Sequence, residues 1–141
     1  MLRLAVFLLS SCFFGGCTAQ SPENKLEEKY PEAKKINWRT DRNGNEEAHF
    51  TLNGSSYRAD FSPDGHWIET ERNIKWSELP PAVKESLDKN AHVEKKHVVE
   101  IEEVNHHEKG WFYDVEIRKK KGKRDIQIAP DGRVIQKEAW K

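Results

Sequence analysis

Two stretches, Ala59-Asp60-Phe61-Ser62-Pro63-Asp64-Gly65-His66-Trp67-Ile68-Glu69 and Ile126-Gln127-Ile128-Ala129-Pro130-Asp131-Gly132-Arg133-Val134-Ile135-Gln136, say nearly the same thing. Each reads as an apolar-alternating strand, a Pro-Asp-Gly turn and a second strand, and Pro63 and Pro130 stand 67 residues apart. A unit written twice must be recognised before its separate elements are assigned. The pattern predicts an α+β domain in which a helix plus a four-stranded antiparallel meander occurs twice, over about 22–74 and 76–140. The helices should lie on one face of a curved sheet.

In the first unit, Leu26 and Tyr30 are spaced i, i+4 on a short helix starting near Pro22 or Glu23, which Pro31 ends by forcing its predecessor out of the helical region. Ile36 and Trp38 alternate with polar residues, as do Ala48, Phe50 and Leu52, then Tyr57, Ala59 and Phe61. Asn43-Gly44 and Asn53-Gly54 supply the hairpin turns, and a fourth strand covers about His66 to Arg72. The linking helix is expected over Trp76 to Asn90, with Ser77 as cap and Leu79, Val83 and Leu87 as its apolar stripe. Strands near His97–Val104, Trp111–Lys119, Arg124–Ala129 and Arg133–Trp140 complete the second unit. Aligning Leu26 with Leu87 gives an offset of 61, six less than the turns give. The extra residues fit Asn105 to Gly110, which lengthens one hairpin.

The 141 residues carry 24 basic and 24 acidic side chains, so no polyanionic partner such as nucleic acid is implied. A mean hydropathy of −0.93 would suggest disorder if the apolar residues were scattered, but the aromatic 10% falls at alternating positions. Residues 1–19 read as a leader: Arg3 is a minimal positive region, and Leu4 to Phe14 is an apolar run too short to span a bilayer. Three processing routes fit. Phe14-Gly15-Gly16-Cys17 resembles a lipobox that would lipidate Cys17, Cys17-Thr18-Ala19 offers cleavage before Gln20, and Leu9-Ser10-Ser11-Cys12 is a second lipobox-like run. Both cysteines lie in the leader, so the remaining domain, residues 20–141, should be held by packing without a disulfide.

Trp67-Ile68-Glu69-Thr70-Glu71 followed by Leu79-Pro80-Pro81-Ala82-Val83-Lys84, and preceded by Tyr30-Pro31-Glu32-Ala33 and Trp38, resembles the PepSY-like family of exported, β-lactamase-inhibitor-like bacterial proteins. The resemblance extends over about residues 22 to 140 and departs where Val99 replaces the expected strand tryptophan. It implies tandem helix-plus-four-strand units in one curved sheet. It also implies a non-catalytic protein with an undefined partner, though a fold does not carry function by itself.

Trp38, Phe50, Tyr57, Phe61, Trp111 and Tyr113 share the phase expected to face the helices. Trp67, Phe112 and Trp140 fall off that phase, and would stand on the open face as a partner-binding surface or as cross-strand pairs. His106, His107 and Glu108 form the one metal candidate: adjacent histidines can share an ion only if they sit in a loop. Glu100, Glu102 and Glu103 make an acidic edge, and Arg118 to Arg124 a basic hairpin tip that could hold phosphate-bearing lipid or nucleic acid through nonspecific charge contacts, the favoured reading being that its charges keep an exposed edge soluble. No catalytic set, cofactor motif or phosphate-cradling glycine run is present.

The sequence thus points to an exported, periplasmic or outer-membrane-tethered binding or inhibitor-like module. It would act without cofactor or catalysis on a protein of the envelope, touching the membrane only through a lipid anchor. The alternative is a metal or small-ligand sensor centred on His106 and His107. Partner identity and oligomeric state stay open.

Overall fold

The computed structural model describes residues 21–141, so the leader and Cys17 lie outside the described residues. Helix α1 (Pro22–Lys29) precedes strands β1 (Lys34–Thr40), β2 (Glu46–Leu52), β3 (Ser55–Phe61) and β4 (Trp67–Asn73). Helix α2 (Pro81–Ala91) precedes β5 (Val98–His106), β6 (Gly110–Lys119), β7 (Gly122–Ile128) and β8 (Val134–Lys137). All eight strands form one antiparallel sheet in chain order, with β1 and β8 at its edges.

Local chemistry explains the helix ends. Ser21 caps α1 by accepting the Asn24 N–H at 3.4 Å, Pro22 occupies the first turn, and the helix stops at Tyr30 before Pro31. The second helix starts later than its apolar spacing predicts. Pro81 holds Pro80 in an extended conformation (φ −56°, ψ 147°), so residues 76–78 form a separate 3-10 turn, and Ser77 caps nothing. Glu78 accepts the Lys75 N–H at 2.8 Å there instead. At its far end α2 closes on His92 in the left-handed region, with the Val93 N–H reaching back to the Leu87 carbonyl at 3.1 Å.

Both helices pack on the same face of the sheet. Leu26 of α1 meets Ala48, Phe50, Ala59 and Phe61, with Tyr30, Trp38, Tyr57 and Trp67 around them. Leu79, Val83 and Leu87 meet Ile101, Val115, Ile117, Ile126 and Ile128. Leu87 is fully buried, so its truncation to alanine would cost about 2–5 kcal/mol.

Bulges reset the strand phase at several points. One between Lys34 and Asn37, with Lys35 at φ 54°, leaves Ile36 45% exposed, contrary to the alternation around it. Another places Trp67 opposite Phe61 and so turns Trp67 onto the helix-covered face. The expected long hairpin at Asn105–Gly110 is largely strand: β5 runs to His106 and β6 starts at Gly110. Trp111, in core phase by alternation, stands 56% exposed on this extension and joins neither helix-covered cluster.

Gly132 (φ 88°) sits where an added Cβ would fall 2.7 Å from the Ala82 carbonyl oxygen at the start of α2. Gly54 (φ 79°) has open space around it. Gly54→Ala should therefore cost the left-handed backbone strain alone, about 1 kcal/mol. Gly132→Ala should cost clearly more, because helix and turn must also separate. Urea denaturation of the two variants checks this order.

Candidate functional site: the open face of the sheet

Alternation sends a second set of side chains to the face that neither helix covers. On β2 and β3 these are Glu47, His49, Arg58 and Asp60, and on β4 Glu69, Glu71 and Asn73. They continue through Glu102 and Val104 on β5, Phe112, Asp114 and Glu116 on β6, and Asp125 and Gln127 on β7. Carboxylates directly oppose one another in five cross-strand pairs: Glu47 with Asp60, Asp60 with Glu69, Glu102 with Asp114, Glu100 with Glu116, and Glu116 with Asp125. Like charges in that position destabilise a sheet.

A few cations and amides partly offset the repulsion. Arg58 reaches Glu71 closely, Glu47 at 3.5 Å and Asp60 at 3.9 Å. Lys123 pairs with Glu116 at 2.7 Å, Gln127 donates to Asp114 at 2.9 Å, and Lys109 donates to Gln127 at 3.2 Å. A shallow depression of about 240 Å³ is lined in part by Arg58, Glu71, Glu100 and Glu102.

Crowding of acids in a half-buried layer moves their titration upward. Burial pushes Asp60 up to about 6, outweighing the attraction of Arg58, and Glu69 and Glu47 add to the rise. Burial also raises Glu71, with the neighbouring Glu102 charge second and the contact between the two carboxyls adding to the rise. Glu102 and Asp114 are raised chiefly by burial as well. The face therefore holds protons that an unfolded chain would release.

The residues singled out in the sequence fall in different places. Phe112 is on the open face, but only 2% exposed, beneath Lys109, whose Nζ lies 5.4 Å from the ring. Together with Val104 opposite it, it forms a small apolar plug in an acidic surface. Trp67 is on the other face: its indole N–H donates to Thr70 at 2.9 Å, and Lys29 of α1 lies 3.6 Å over its ring. Trp140 also packs on the helix side, against the α2 cluster, with the Arg124 guanidinium 4.3 Å from its ring centre. The three aromatics thus make no shared patch.

His106 and His107 stack with ring centres 4.7 Å apart and planes 21° from parallel. The His106 Nδ1 accepts the Glu108 N–H at 3.0 Å, while the His107 Nδ1 lies 3.1 Å from the Ile68 carbonyl. The His107 Nε2 lies 3.6 Å from a Glu108 carboxylate oxygen. Among the described residues, no group of three His, Cys, Asp or Glu side chains is arranged to hold one.

Comparison with other proteins agrees with this architecture. The family model described as "Putative beta-lactamase-inhibitor-like, PepSY-like" matches residues 44–136. The chain belongs to the PepSY-like family. Solved structures similar to this PepSY-like chain include a BLIP-like protein (BF1215) of Bacteroides fragilis NCTC 9343, at 20% identity and a TM-score of 0.72, covering 83% of this chain and 82% of that one. A DUF2874 family protein of Bacteroides uniformis ATCC 8492 follows at 22% identity and 0.70, covering 83% and 86%. A protein of Bacteroides eggerthii DSM 20697 described as "putative periplasmic" shares 25% identity at 0.70, covering 87% and 89%. No curated protein matches the PepSY-like sequence significantly. The eight-stranded antiparallel open sheet with two helices is the BLIP-like fold.

The acidic face escaped the sequence reading, which grouped Glu100, Glu102 and Glu103 as an edge. The available signal was the period-two run of acids on the polar phase, Glu69/Glu71, Glu100/Glu102 and Asp114/Glu116, read across strands.

Groups whose titration folding raises stabilise the fold fully below their unfolded pKa, and that contribution is lost as pH climbs through the folded value. With Asp60 near 6 and Glu71, Glu102 and Asp114 also raised, stability should increase from about pH 8 to about pH 5, on the order of 1–3 kcal/mol. Urea midpoints across that range measure it. The Glu71→Gln variant should show a smaller increase, and an unchanged increase would assign the effect elsewhere.

Proposed function

We propose that this chain is an exported, non-catalytic, inhibitor-like module that presents the open face of its sheet to a basic surface of a protein partner in the envelope. The observation that carries this reading is the uncovered face with its five opposed carboxylate pairs. Such an arrangement costs stability in the free molecule and becomes favourable once a complementary positive surface covers it. Membership of a β-lactamase-inhibitor-like family supports an inhibitor-like role, and the partner's identity is not carried over from it.

Export is supported by the leader at residues 1–19 and by a similar structure described as periplasmic. In this reading the leader is removed, or the protein is tethered through a lipid on Cys17. Phe112 then serves as the apolar centre of the contact surface, uncovered when Lys109 swings to an acidic group of the partner. Trp67 and Trp140 act from beneath by fixing the helix side.

The two helix-plus-meander units are read as a tandem repeat sharing one sheet. Each unit has a bulge in its first strand, with Ile36 and Val99 correspondingly exposed at 45% and 49%, and another bulge between its third and fourth strands.

A pull-down from the native envelope tests the proposal, using the parent protein and a Glu102→Lys/Asp114→Lys variant as baits. The parent should retain a partner that is lost as salt rises and that the variant recovers at least tenfold less. Equal recovery by both baits, or capture that added salt leaves unchanged, would reject the open face as the contact surface.

A further inference from the structure

The helix-covered side holds a cationic cleft that the proposed partner surface does not use. It lies between the end of α2 and the β6–β7 turn, has a volume of about 670 Å³, and is lined by Lys119, Lys120, Lys121, Arg124, Lys137 and Trp140 among others. Among the described residues, no carboxylate side chain lines it.

Two of these cations have a structural task. Lys119 donates to the His92 carbonyl at 2.6 Å and Lys137 to the Asn90 carbonyl at 2.8 Å, which satisfies the last acceptors of α2 and complements the negative end of its dipole. Lys120 and Lys121 are exposed on the turn above.

Arg124 is different. It is 8% exposed, its neighbours across the ladder include Ile117, and its Nε–H is buried without a hydrogen-bond partner. Its guanidinium carbon lies 4.3 Å from the centre of the Trp140 ring. Burial lowers its pKa, and among the described residues no carboxylate is paired with it. A hydrophobic side chain would fill the same space without leaving a buried donor unpaired.

An anion in the cleft would supply the opposite charge that this guanidinium otherwise lacks. Arg124 lines the cleft, its two terminal nitrogens form a fork able to grip two oxygens of an oxyanion, and the Trp140 ring packs against the guanidinium at 4.3 Å. Lys120 and Lys121 add point charges at the mouth, so a group with two negative charges suits the cleft better than a single carboxylate. We propose that this cleft binds a phosphate monoester, with Arg124 as its bidentate anchor and Lys120 and Lys121 as its outer charges.

The phosphate could belong to a soluble metabolite or to a lipid headgroup, and the chemistry at Arg124 is the same for both. Titration of the purified protein with inorganic phosphate and glycerol 3-phosphate, followed by tryptophan fluorescence and calorimetry, tests the soluble source. Sedimentation with phosphatidylcholine vesicles containing or lacking phosphatidic acid tests the lipid source. Saturable binding below about 10 mM is expected in at least one arm. Arg124→Met should weaken it at least tenfold, while the ligand-free variant melts no lower than the parent.

The Lys120→Gln/Lys121→Gln variant, altered only at exposed turn positions, should weaken binding severalfold and keeps the test decisive if Arg124→Met fails to fold. No saturable binding in either arm would overturn the proposal. So would affinity unchanged in Arg124→Met, or in the lysine variant where Arg124→Met does not fold. None of these outcomes bears on the open face, which lies on the opposite side of the sheet.

Discussion

Everything in this molecule depends on the ladder between β4 and β5. It joins Glu69 to His106, Thr70 to Asn105, Glu71 to Val104, Arg72 to Glu103 and Asn73 to Glu102. Arg72 reinforces it from the helix side by pairing with Glu103 at 2.7 Å. Because that seam closes, two meanders become one sheet and both helices must share a face. Ten residues separate the paired positions Trp38 and Ala48, whereas fourteen separate Ile101 and Val115. The longer β5–β6 hairpin extends β5 to His106, and β4 pairs with that extension.

Once both helices lie on one side, the other side is left to polar residues, and the choice of those residues is informative. A solvated face can be made neutral with alternating lysine and glutamate at little cost. This one sets acids against acids and buries Glu71 to 7% exposure beside Arg58 and Glu102. Hydrophobic packing beneath, from Phe61 and Ala59 to Ile126 and Ile128, tolerates the repulsion above. The fold and the candidate site thus make opposite contributions to stability through the same strands.

The architecture was legible in the sequence wherever the signal was local. Period-two alternation located all eight strands, Asn-Gly and Pro-Asp-Gly turns marked four of the six hairpins, and Leu79, Val83 and Leu87 marked the stripe of α2. The reading lost accuracy where a side chain's face depends on distant pairing. Trp67 looked off-phase because alternation was counted from Ile68, but the bulge opposite Phe61 inserts one residue and reverses the count. Trp140 lies beyond β8, and its position is set by backbone pairing of Lys141 with Lys123, again invisible locally. Trp111 followed its phase and still emerged exposed, because phase selects a side of the sheet and not whether a helix reaches that far. The acidic face became apparent only when register placed Glu102 beside Asp114 and Glu116 beside Asp125.

The bulge in β1 has a bearing on how these molecules tolerate crowding. An unpaired border strand invites another chain to dock along its backbone, and a flat one does so repeatedly. Here one border is kinked at Lys35 and studded with Lys34 and Arg39, and the other, β8, is four residues long and itself out of register near Val134. Neither offers a template for filament growth, so crowded copies would meet other molecules broadside.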